Sequence, residues 1–136
     1  MEYLIRVLIS NAKCQMSNQI QNSNIKKKYD LSERTSKFGE EVIDFAKEIV
    51  DSIINKPLIN QFIRSGTSVG ANYMEADAAS TKRDFRHKIS ICRKEAKETR
   101  HWLRMVVRAL PEKAADARVL WKEAQELVLI FSAILK

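Results

Sequence analysis

The residues with the clearest chemical potential are arginines and lysines that recur along one face of the segment 81–110. If this segment is a helix with about 100° per residue, most of them fall in a narrow arc roughly 100° from the centre of its apolar seam. We call these residues the basic row: Arg86, Arg93, Lys97, Arg100, Arg104 and Arg108, with Lys82 and Arg83 at the helix entry. The row is either an ordinary solvated helix face or a surface that binds polyanions.

The distribution of charge favours a binding surface. From Lys82 to Arg108 there are ten Lys and Arg and three acidic residues, a net charge of +7, which equals the formal net charge of the whole 136-residue chain. Such a concentrated field attracts polyanions, so the expected partner is a nucleic acid or an acidic protein surface. Few aromatic residues are interleaved with the row, which predicts contacts to phosphates and weak sequence preference.

The segment 81–110 also contains two histidines, His87 and His101. Four-helix bundles that hold a di-iron site place a Glu-x-x-His motif on each of two helices. Glu98 to His101 matches that spacing, and Asp84 to His87 is analogous. Both pairs lie on one helix, about 21 Å apart, and cannot share a site within one chain. They also point away from the apolar seam. We therefore predict surface histidines, no metal and no cofactor, and the chain contains no nucleophile-and-base motif or CxxC that would indicate an enzyme.

Two glycines interrupt a second helical segment within RSGTSVGAN, residues 64–72. Each costs a helix about 1 kcal/mol relative to alanine, so a compensating interaction is expected. Gly66 and Gly70 are one turn apart among small side chains, which predicts a groove where a neighbouring helix packs closely. A Walker phosphate loop requires four residues between its glycines and a following Lys, whereas here three residues intervene and Ala71 follows.

These residues are positioned by four helices. Only three glycines and two prolines occur, with 45% hydrophobic and 30% charged residues, which is typical of a soluble protein built from a few long helices. Apolar residues repeat with four-three spacing in each segment, and Trp121 and Val128 widen the apolar stripe of the last one. The predicted helices run from Asp30 to about Ile54, Pro57 to about Ala79, Thr81 to Leu110, and about Glu112 to Leu135.

Short connections predict an antiparallel, up-down-up-down four-helix bundle over residues 29–136, preceded by an N-terminal extension at residues 1–28. The apolar run of residues 1–9 is too short to span a membrane and lacks the basic segment of a signal peptide, so no membrane partner is expected. Cys14 and Cys92 do not form a disulfide framework, because Cys92 lies on a core seam. A reducing cytoplasm fits this usage.

The flank of the third helix opposite the basic row mixes acidic and apolar residues. One chain's bundle leaves this edge partly open, and a second copy would cover it while pairing an acid with a basic side chain. The predicted oligomer interface comprises Ile91, Glu95, Glu98, Trp102 and Met105.

Two segments carry a family resemblance: RSGTSVGANYMEADAAS at 64–80 and RDFRHKISICRKEAKETRHWLRMV at 83–106. Together they resemble the signature of four-helix-bundle proteins encoded in intervening sequences of bacterial 23S ribosomal RNA genes. The resemblance implies a cytoplasmic, non-enzymatic homopentamer with a role at RNA or a nucleoprotein. The accessory variability proteins of diversity-generating retroelements, a structurally similar group, are basic and pentameric and work with RNA. The alternative is an assembly module whose charged flanks only hold copies together.

Overall fold

The computed structural model describes residues 30–136. In this part of the chain the architecture is all-helical, with no strand. The helices are α1 (Leu31–Lys47), α2 (Asn55–Asp77), α3 (Lys82–Ala109) and α4 (Ala114–Leu135), and a 3-10 turn at Pro111–Lys113 precedes α4. The predicted extension at residues 1–28 and Cys14 lie outside the described residues.

Cross-helix contacts establish that neighbouring helices are antiparallel. Between α2 and α3, Ser65 pairs with Thr99 while the later residue Val69 pairs with the earlier Cys92. The same inverse order relates α3 to α4, where Arg86 reaches Leu135, and α1 to α4, where Lys113 reaches Glu48. The predicted four-helix bundle is therefore confirmed.

Side-chain caps begin two of the helices where the sequence predicts. The Asp30 carboxylate accepts a hydrogen bond from the Glu33 amide at 3.3 Å, and the Thr81 hydroxyl accepts one from the Asp84 amide at 3.1 Å. Both satisfy backbone donors that have no partner within their own helix. The α3 start is therefore fixed by local chemistry.

The predicted end of the first helix was wrong. The four-three spacing continues to Ile53, but α1 ends at Lys47 and the Ile53 side chain is 93% exposed. Polar side chains in the connection bond the backbone instead: the Ser52 hydroxyl accepts from the Asn55 amide at 2.9 Å, and the Asn55 side chain donates to the Val50 carbonyl at 2.9 Å. Such local bonds compete with helix formation, so α2 begins at Asn55, two residues before the expected Pro57.

The core follows the predicted seams. Phe38, Phe62, Leu103 and Phe131 are at most 1% exposed. Cys92 is a free thiol in this core, and burial raises its pKa to about 12 from an ordinary value near 9. On α4, Val128 is buried, but Trp121 is 41% exposed, although the sequence placed both on the apolar stripe.

Gly66 and Gly70 lie on the face of α2 that meets α1. A Cβ at Gly66 would lie 2.7 Å from one methyl group of Val42, and a Cβ at Gly70 would lie 3.2 Å from the Thr35 carbonyl oxygen. Real Cβ atoms essentially never approach within 3.0 Å of another heavy atom, so Val42 occupies space that a larger residue at 66 would need. The two glycines thus let α1 pack closely on α2.

Candidate nucleic-acid interface

The basic row lies on α3, which is about 42 Å long at 1.5 Å per residue. Its apolar seam is buried against the neighbouring helices, which leaves the row on the flank that faces α4 and solvent. The row divides into side chains that reach α4 and side chains that extend into water.

Arg86, Arg93 and Arg100 are half-buried and spaced by seven residues, and each reaches α4. The Arg86 guanidinium donates to the Leu135 carbonyl at 2.5 Å, one of the carbonyls that the α4 C-terminus leaves unsatisfied. Arg93 contacts the Ser132 hydroxyl at 3.5 Å, and Arg100 donates to the Gln125 side-chain oxygen. All three partners are uncharged, so these contacts position the guanidinium groups without neutralising them.

The other members of the row have exposed side chains. They are Lys82, Arg83, Lys97, Arg104 and Arg108. Lys97 and Arg104 stand on the same flank as the half-buried arginines, and Arg108 lies in the last turn of α3, where a cation interacts favourably with the helix dipole. This set presents flexible cations to solvent.

Within residues 30–136, no member of the basic row forms an ion pair. The basic side chains that do pair with carboxylates lie elsewhere: Arg34, Lys47, Arg64, Lys88 and Lys113. The carboxylates that form ion pairs in this part of the chain therefore pair with basic residues outside the row, and none of them compensates the row's positive charge.

Trp121 is a neighbour of the row that sequence reasoning did not select. It lies on α4, and its ring centroid is 5.4 Å from the Arg100 guanidinium carbon, within cation–π range. The only sequence signal was an aromatic residue at the edge of the α4 stripe. To predict its contact with Arg100, one must know how α3 and α4 are rotated relative to each other. The periodicity within each helix does not give this rotation.

The predicted oligomer interface lies on the flank of α3 that faces α2. Glu95 is 6% exposed, and it and Glu98 both pair with Arg64 of the same chain, the former at 3.3 Å. The hydrogen bond that the Arg64 guanidinium donates to the Glu98 carboxylate is the main cause of the raised pKa of Arg64. Ile91, Trp102 and Met105 are partly buried. The two acids thus have a partner within the chain, and the interface itself stays a prediction.

The two histidines on α3 are exposed, and His101 packs edge-on against the Trp102 ring. Across the described residues, no three His, Cys, Asp or Glu side chains group together as metal ligands would. Likewise, none of the helices between residues 30 and 136 combines the length and apolarity needed to span a membrane.

Residues 27–133 match the model of a protein family described as 23S rRNA-intervening sequence protein. This match covers most of the chain. The chain belongs to this family. Among solved structures, it is similar to a protein of unknown function from the S23 ribosomal protein family of Bacteroides thetaiotaomicron VPI-5482, with 27% identity and a TM-score of 0.70. That alignment covers 78% of this chain and 98% of the other. No curated protein matches the sequence.

Proposed function

We propose that this family member is a non-enzymatic, cytoplasmic protein that binds nucleic acid, with RNA favoured, through the basic row of α3. The observation that carries the proposal is that no member of the row has a carboxylate partner within residues 30–136, whereas five basic residues outside the row form ion pairs: Arg34, Lys47, Arg64, Lys88 and Lys113. An ordinary solvated face would be expected to intersperse acids with bases. An uncompensated row instead suits a ligand that brings its own negative charge.

The geometry of the row favours phosphate contacts over base reading. Its members project from one helix along a line of about 39 Å from Lys82 to Arg108, and the half-buried arginines hold their positions through bonds to α4. Contacts of this kind fix a nucleic acid on the surface but carry no sequence information. We expect weak sequence preference and strong dependence on salt.

The proposal includes assembly into a homo-oligomer, for which the family resemblance suggests five copies. Several rows in one ring would multiply the field acting on a polyanion. A nucleoprotein is a second partner compatible with this chemistry, because it also presents phosphates.

The rival function is a purely structural assembly module. Exposed apolar side chains in the α1–α2 connection favour self-association of some kind: Val50 is 73% exposed, Ile53 93% and Ile54 64%. In this account the arginines of the row pair with acids of a neighbouring copy and are not available to nucleic acid.

The deciding experiment replaces Arg93, Lys97 and Arg100 with glutamine together and measures RNA affinity and oligomer mass on the same sample. If about six phosphates are neutralised, wild-type affinity should fall roughly a thousandfold between about 50 and 200 mM salt. The triple variant should lose about three units of the slope of log affinity against log salt.

A matched control removes the same charge elsewhere, at exposed lysines on other helices: Lys37, Lys56 and Lys122. This control should retain most of the salt slope. Loss of the oligomer in the basic-row variant would support the rival function. An intact oligomer that binds RNA with an unchanged slope would refute the assignment of the row.

A further inference from the structure

A small apolar groove opens beside Trp121, where the C-terminal half of α3 meets the first turns of α4. Its volume is about 270 Å³, and its lining is mostly apolar. Leu103, Val107, Ala117 and Trp121 contribute its apolar surface, and Arg104 and Arg118 flank it. Pockets for drug-sized ligands begin at about 300 Å³, so this groove suits a smaller group.

The surroundings of the groove are cationic. Arg104 and Arg118 are exposed and form no ion pair with any residue from 30 to 136. Arg100 lies 5.4 Å from the Trp121 ring centroid, and its Nε is buried without a hydrogen-bond partner in the described part of the chain. An apolar slot bordered by three uncompensated guanidinium groups does not suit an apolar peptide, which would leave these charges unmatched.

A nucleotide matches both halves of this environment. Its base offers a flat apolar face to the partly exposed indole, and its phosphates carry the charge that the arginines lack. Stacking of bases on aromatic side chains, next to cations that follow the backbone, is how proteins bind single strands without reading their sequence. Bases inside a duplex are already stacked on one another and cannot enter such a groove.

We propose that the groove holds one unpaired base of a single-stranded nucleic acid, stacked on Trp121, while Arg104 and Arg118 contact the flanking phosphates. The inference rests on the proposed function, because it requires that the row binds nucleic acid. It adds a distinction that the row alone does not make: a preference for single strands, or for unpaired nucleotides in folded RNA, over a continuous duplex.

The test compares a short RNA strand of mixed sequence, alone and annealed to its complement, in binding to wild-type protein, Trp121→Ala and Trp121→Phe. Trp121→Ala should weaken single-strand binding on the order of thirtyfold, the middle of the range for loss of one stacked base. The salt slope and the duplex affinity should not change, since no charge is removed. Trp121→Phe should retain most of the single-strand affinity.

The matched control is Leu129→Ala, which removes another large apolar side chain from α4 that is 59% exposed and does not line the groove. This variant should bind like wild type. A direct readout uses Trp102→Phe, which leaves Trp121 as the sole tryptophan of the chain. Its fluorescence should be quenched by the single strand and much less by the duplex.

The possible outcomes distinguish a failure of the proposed stacking site from a failure of the proposed nucleic-acid binding. If Trp121→Ala binds the single strand as tightly as wild type while salt dependence remains, the stacking site is wrong and the basic row stands. If wild type binds neither strand nor duplex, the proposed function itself fails. If Trp121→Ala reduces the oligomer mass, the groove is a contact between copies, and the inference is overturned.

Discussion

At the scale of single residues, the strictest steric constraint is at Gly66, because the Val42 side chain packs directly against it. An added Cβ at residue 66 would meet both Val42 methyl groups, at 2.7 and 2.8 Å, and a β-branched side chain cannot rotate to free that space. Gly39 provides a contrast on the facing helix, because a Cβ there would make only ordinary contacts, the nearest at 3.7 Å to the Thr67 Cα. Two buried glycines of one interface therefore have opposite tolerances.

We predict that Gly66→Ala lowers the free energy of unfolding by about 1–2 kcal/mol, because overpacking outweighs the gain in helix propensity. Gly39→Ala should instead raise it by up to about 1 kcal/mol. Urea denaturation followed by circular dichroism measures both. If Gly66→Ala is as stable as Gly39→Ala, α1 and α2 are not in the close contact described.

Residue-scale features of the candidate site were only partly predictable. The row was visible in the sequence because 100° periodicity aligns Arg86, Arg93 and Arg100 along one helix. Their contacts with α4 could not be predicted from the sequence, since these contacts depend on how two helices are rotated relative to each other. The same reason explains why Trp121 was placed on the apolar stripe and why the bond between Arg64 and Glu98 was not foreseen.

At the scale of the elements, seams and caps were predictable because they are local. Asp30 and Thr81 each bond an amide three residues ahead, and the seam of α3 from Phe85 to Val106 is buried as its spacing indicates. The end of α1 was not predictable from periodicity. Beyond Lys47 the apolar spacing continues, but hydrogen bonds made by Ser52 and Asn55 fix a different backbone path.

We predict that Leu103→Ala costs about 2–5 kcal/mol of stability, because the side chain is 1% exposed in the seam of α3 and its removal leaves a cavity. An equivalent truncation at an exposed position, Leu129→Ala, should change stability by no more than about 0.5 kcal/mol. Thermal unfolding at matched pH compares the two. Equal effects would mean that Leu103 does not lie in the core.

At the scale of the whole molecule, the bundle distributes polar contacts unevenly. The α1–α4 side is joined by Arg34 to Glu123, at 2.7 Å, and by Lys113 to Glu48, at 3.0 Å. The α3–α4 side instead carries cations with uncharged partners. One side of the bundle thus has ion pairs between its helices, and the other has cations without carboxylate partners. A negatively charged partner suits the second of these sides.

We predict that the protein is an oligomer in solution, with five copies expected from the family resemblance. Light scattering at tens of micromolar should report a mass several times the 15.7 kDa of one chain, because an interface of standard size is stable in that range. The interface should include Ile91, Trp102 and Met105. A monomeric mass at this concentration would count decisively against assembly.

The hydrogen bond between the Ser65 and Thr99 hydroxyls limits where residues can be inserted into the chain or deleted from it. The two oxygens meet at 3.0 Å inside the α2–α3 interface and fix the axial alignment of these helices, since sliding by one turn would separate them among apolar side chains. One residue inserted between Ala96 and Leu103 would rotate everything after it by about 100°. The second half of the basic row would then face away from the first half. The apolar residues of the seam that follow the insertion would also turn out of the core. Insertions and deletions should therefore be confined to the ends of α3, and to the connection between α1 and α2.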